Sequence, residues 1–143
     1  MVPTIKDARF AERYPDGADV VGSVSKPNLS DGKNDIVWYE FWTLDQGHFE
    51  YGPGTQNVGP GECKQCLTLI LNIDDDWVGE KEFVPESGDV QVTATMFAGG
   101  GGTAWKTVTV EHHSVVFREY DWEALSTITG GACYTVNQTV VFE

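Results

Sequence analysis

The chain has 143 residues, enough for one domain and too few for two ordinary ones. Its 22 acidic and 9 basic residues leave a formal net charge of −13, which excludes the basic stripe that nucleic acid requires and opposes contact with an anionic membrane surface. Hydrophobic residues at 41% and aromatics at 12% exclude a disordered acidic tail, and no apolar run approaches the roughly 20 residues that cross a bilayer.

The first residues, Met1 to Asp7, carry neither the basic patch nor the apolar stretch of a signal peptide. Abundant glycine and sparse lysine favour an exported chain from which the signal has been removed, so the expected location is extracellular or at the cell surface. From there period-two patterning dominates, and helical periodicity is nearly absent. Turn signals recur at Pro15-Asp16-Gly17, Ser30-Asp31-Gly32, Asp45-Gln46-Gly47, Pro53-Gly54, Gly59-Pro60-Gly61, Ser87-Gly88 and Gly99 to Gly102. Between them the pattern predicts strands near 3–10, 18–25, 35–44, 47–51, 66–73, 80–84, 88–97, 104–118 and 133–142.

Leu67, Leu69, Leu71 and Ile73 give one apolar face, as do Val90, Val92, Ala94 and Met96. Near the C-terminus Tyr134, Val136, Val140 and Phe142 share a face with Gln138. In the run 104–118 the apolar parity shifts from Val108 and Val110 to Val115 and Phe117, which predicts a bend or bulge near His112-His113. Residues 121–126 read as one helical turn with Asp121 as its N-cap. The expected fold is all-β: a single antiparallel β-sandwich, immunoglobulin-like or jelly-roll-like, over residues 1–143.

Cys63-Lys64-Gln65-Cys66 is the most conspicuous local motif, and Cys133 is the third cysteine. A thioredoxin-type motif sits at a helix N-terminus, whereas a strand follows here. The three thiols with one of His48, His112 or His113 would complete a zinc set. The plainer expectation is a structural disulfide between Cys133 and one member of the pair. A direct 63–66 bridge needs a tight turn, because cysteines three apart on a strand stand about 10 Å apart.

Asn72, Asp74 and Asp76 alternate as at the start of an EF-hand, but Trp77 and Phe83 occupy the positions that need glycine and glutamate. A looser Ca2+ site at Asp74, Asp75 and Asp76, joined by Asp121 or Glu123, competes with a solvated acidic turn. His112 and His113 point to opposite faces of an extended strand, so they do not grip one metal together. No nucleophile elbow occurs and no Ser/His/Asp order has supporting context. The expectation is therefore no catalytic residue and no enzyme.

Ile36 to Trp42 is apolar and aromatic on both faces. It reads either as a central strand or as an exposed shelf, made by Trp38 and Trp42 or by Tyr39 and Phe41. Trp77 and Trp105, near loop ends, would join such a shelf, and sugar rings or a protein partner would stack on it.

From about Gly47 to Glu143 the order of motifs resembles a family of exported proteins and lipoproteins from predatory and myxobacteria-like lineages. The pieces are Gly47-His48-Phe49-Glu50, the C-x-x-C before an apolar strand, the acidic turn Asn72 to Asp76, and Lys81-Glu82-Phe83 with Ser87-Gly88-Asp89-Val90. Phe117-Arg118-Glu119 and Gly130-Gly131-Ala132-Cys133 complete the series. The resemblance implies export, a β-sandwich and a disulfide, and no activity. The leading functional expectation is thus a non-catalytic structural or adhesive domain that meets protein or glycan at a cell surface. A carbohydrate-binding module using the aromatics, with Ca2+, is the alternative, followed by a filament or virion subunit joined through an unpaired cysteine and edge strands. Oligomeric state stays open.

Overall fold

The computed structural model describes residues 5–13, 19–25, 29, 34–41, 47–52, 65–76, 78–99 and 102–142. Among these residues the secondary structure is entirely β. The strands are β1 (Ile5–Arg13), β2 (Asp19–Ser25), β3 (Asn34–Phe41), β4 (Gly47–Glu50), β5 (Gln65–Ile73), β6 (Lys81–Gly99), β7 (Gly102–Asp121), β8 (Ser126–Thr127), β9 (Cys133–Val136) and β10 (Thr139–Phe142). The main path runs β1-β2-β3-β5-β6-β7-β10, with β4 added to β6 and with β8 and β9 added to β7. Every pairing is antiparallel.

The all-β expectation therefore holds. The hydrogen bonding draws one continuous antiparallel sheet, however, where two separate ones were expected. Strands expected at 80–84 and 88–97 are a single long β6, and Ser87-Gly88 is a bend within it rather than a turn between strands. The bend forms where β6 and β7 slip register twice, between Pro85 and Ser87 and again between Ser87 and Asp89. Proline donates no amide to a ladder and is tolerated at such a bulge. Gly88 has a φ of +95°, and a Cβ there would lie 2.4 Å from the Ser114 carbonyl oxygen. Opposite it, Ser114 has a φ of 51°.

Both long strands change neighbours across this bend. Before it β6 pairs with β5, and after it with β4. Likewise β7 pairs with β10 through Val108 to Glu111 and with β9 through Val115 to Arg118. Strands that pass from one half of a sheet to the other through a bulge let the halves face each other over a shared core. The interior shows that they do, since Tyr39 on β3 stacks edge-on against Phe142 on β10 at 4.9 Å. Val37, Tyr39, Leu67, Leu69 and Phe83 come from one half and Val90, Val92, Val108, Val110, Val140 and Phe142 from the other, all in one buried cluster.

The predicted parity shift is present. Val108, Val110 and His112 are buried, Ser114 is exposed, and Val115 and Phe117 are buried. The helical turn expected at 121–126 is a correction: residues 122–125 form a turn joining β7 to β8. Asp121 does cap it, its Oδ1 accepting from the amides of Glu123 (2.8 Å) and Ala124 (3.0 Å). Leu125 then adopts a φ of 51°, so the chain reverses into β8 without entering a helix.

Candidate functional site

The sequence-derived candidates fall in different environments. Tyr39 is completely buried, so it belongs to the core and offers no surface for a ligand; the shelf built from Tyr39 and Phe41 is thereby corrected. Strand alternation explains this, because Val37 and Tyr39 occupy the inward face. Trp38 lies on the other face, half-buried, in register with Gly22 and Thr68. Trp42, Trp77 and Cys63 lie outside the described residues, as do the side chains of Phe41 and Trp105.

Cys133 has a free, exposed thiol, and the disulfide expected there is corrected. The reason is topological. Cys66 is on β5 and Cys133 on β9, with β6 and β7 between them. Three inter-strand steps span about 14 Å, well beyond the roughly 7 Å that a disulfide tolerates between Cα atoms. Cys66 is itself disulfide-bonded.

Asp74, Asp75 and Asp76 are exposed. Asp74 spends Oδ1 on the turn itself, accepting from the amides of Asp76 (3.0 Å) and Val78 (2.9 Å). Among the described residues no three His, Cys, Asp or Glu side chains are gathered to hold a metal ion. Cys66 is disulfide-bonded and two strands separate it from Cys133, so these two cysteines do not form the expected zinc set together.

Two polar constellations were not foreseen. The first is buried. His112 Nδ1 lies 2.8 Å from the Gln138 carbonyl oxygen, which can only accept, so Nδ1 carries the proton. Nε2 is then the acceptor for the Tyr39 hydroxyl at 2.6 Å. The Gln138 carbonyl also accepts the His112 backbone amide at 2.9 Å. Burial holds the imidazole down at about 4, well below its ordinary value, because a charged ring would be stranded from water. Among the described residues the other buried polar side chain is Asp35 at the start of β3, accepting from the amides of Leu29 and of Asn72 (3.0 Å).

The second constellation is on the outer face beside the bend. Asp89 Oδ1 accepts from His113 Nδ1 (2.6 Å) and His48 Nε2 (2.8 Å), and so joins β6 to both β7 and β4. These bonds, that from His113 foremost, hold the Asp89 carboxyl below the usual carboxylate range. Glu111 Oε2 stands 3.9 Å from His113 Nε2. Along the same hairpin Lys81 meets Glu119 at 2.9 Å, and Arg118 donates from two nitrogens to Glu86 Oε2 at 3.1 and 3.0 Å. These pairs fasten β6 to β7.

The clearest exposed apolar feature is the β7–β8 loop with its sequel. Trp122 is 44% exposed, Leu125 63% and Ile128 38%. Asp121 and Glu123 flank Trp122 in the sequence, and Tyr120 meets its indole edge-on at 4.7 Å. This Trp was absent from the expected aromatic set. Its signal in the sequence was available: three large apolar residues in a seven-residue stretch with neither period two nor a core-facing parity.

No protein-family model, curated protein or solved structure matches the chain. Among the described residues no helix is long and apolar enough to cross a membrane.

Proposed function

We propose that this chain is a non-catalytic structural or adhesive domain, exported to a cell surface, that meets a protein partner through the loop carrying Trp122, Leu125 and Ile128. The observation that carries this reading is the concentration of exposed large apolar side chains in one short segment of a surface otherwise rich in carboxylates. A tryptophan with aliphatic neighbours is the composition of a binding anchor. The acidic residues beside it, and the chain's charge of −13, favour a basic rim on the partner. The motif order from Gly47 onward supports export in the same sense.

A glycan module is less favoured at this loop. Tyr120 and Trp122 are inclined at 67°, whereas a sugar-stacking platform needs coplanar rings. Side-by-side probing of a protein array and a glycan array with the labelled chain tests the reading. The expected result is protein binding that Trp122→Ala abolishes without loss of fold. Binding confined to glycans, or unaffected by that substitution, contradicts it. The filament alternative rests on the exposed Cys133 thiol, and a monomer on sizing with and without reductant removes it.

A further inference from the structure

We propose that the His112–Tyr39–Gln138 constellation is an acid-operated latch on the C-terminal strand, releasing β10 from the sheet when His112 takes up a second proton. The argument starts from connectivity. Among the described residues β10 is a four-residue strand whose ladder is to β7, with β1 close beside it. What fixes its entry is the Gln138 carbonyl immediately before it, which accepts both the backbone amide and the Nδ1–H of His112. The same ring is held from the opposite half of the fold by the Tyr39 hydroxyl, and the Tyr39 ring packs on Phe142 within β10. One imidazole therefore ties β3, β7 and the start of β10 together.

A second proton undoes this arrangement. It would sit on Nε2, the atom that now accepts from Tyr39, so the hydroxyl would have to turn its own proton away and accept from the ring instead. The added charge would lie in a site 2% exposed, facing the Tyr39 phenol from β3, whose other neighbour is Phe142 of β10, with Val90 in register on β6. Its sequence neighbours Glu111 and His113 point to the outer face and do not contact the ring; the charge of His113 opposes a second one on His112. The proton is thus taken up far more readily once Gln138 and β10 have moved aside and water reaches the ring. With the imidazole held at about 4 when enclosed and near 6.5 when hydrated, the open form is favoured about 20-fold more at pH 5 than at pH 7.

Release is local because the rest of the sheet does not depend on β10 for pairing: β3, β5, β6 and β9 keep their own ladders. Hydrogen exchange of the full chain, corrected for intrinsic rates, tests this between pH 7 and 5. Residues 137–142 are expected to lose protection by about 20-fold while 65–73 retain theirs. Simultaneous loss in both segments, which is global acid unfolding, overturns the proposal, and so does unchanged protection of 137–142. His112→Gln is expected to abolish the pH dependence while keeping a donor toward Gln138; a persisting dependence assigns the effect to carboxylates and refutes the latch. Should that variant not fold, the His112 ring resonances of the unmodified chain provide the second readout. Their protonation midpoint is expected to coincide with the opening of β10, and separate midpoints contradict the latch.

Discussion

His112 and His113 are adjacent in the sequence and have opposite roles. Strand alternation sends the first inward, where it is neutral and bonded to a phenol and a carbonyl, and the second outward, where it shares one carboxylate oxygen with His48. The inner contact joins strands distant in the sheet order, β3 and β7, and replaces water that the ring lost on burial. The outer contact joins neighbouring strands in full view of solvent, which competes for every bond. Identical chemistry thus stabilises where water is excluded and mainly decorates where it is not. Alternation alone separates the two; the bend that follows at Ser114 then passes the inward parity from even to odd residues.

The sharpest way to break the comparison is to remove the bend. Gly88→Val places a side chain against the backbone of Ser114 and Val115 at a φ that valine avoids. We expect a loss of about 3 kcal/mol or more, read as a shift of the urea midpoint; a loss within about 0.5 kcal/mol would show that the bend is not what sets the parity. Phe117→Ala, just past the bend, is expected to cost about 3–5 kcal/mol by the same measurement, and a smaller cost would mean the core collapses around the gap.

Acidification comes next. The folded-state value of His112 lies below its unfolded value, so the unfolded chain binds more protons between about pH 4 and 6.5. Its contribution is complete above that window and declines as pH falls through it, by at most about 3 kcal/mol. Urea titrations at pH 7, 5.5 and 4.5 measure the decline, and Tyr39→Phe, which removes the hydroxyl donor, is expected to shift the window upward. The smallest effect belongs to the outer face. Asp89→Asn and His113→Ala are each expected to leave the urea midpoint within experimental error at physiological salt. A large loss from either would erase the distinction between the two faces.

Much of this was legible in the chain. Period-two runs located most strands, because half-buried strands must alternate, and the change of parity between Val110 and Val115 revealed the bend. The inward parity even pointed at His112, but no local pattern reveals that Tyr39, 73 residues away, would supply its partner. That pairing is a product of the sheet folding over. Register across several strands likewise decided the cysteines: nothing near Cys133 says that two strands stand between it and β5. Peptide mapping is expected to find Cys133 open to alkylation and Cys66 protected from it. The 121–126 segment misled in a different way. Asp121 accepts from two amides as a cap does, but that signals only that a turn begins, and the left-handed Leu125 returns the chain to β8 before any helix forms.

The most direct measurement of the central claim is a nitrogen-15 correlation spectrum of the imidazoles across pH. The account predicts that His112 is neutral with its proton on Nδ1 and remains so down to about pH 5 in the folded chain. A folded chain in which His112 carries its proton on Nε2, or becomes charged in the ordinary imidazole range, would contradict it.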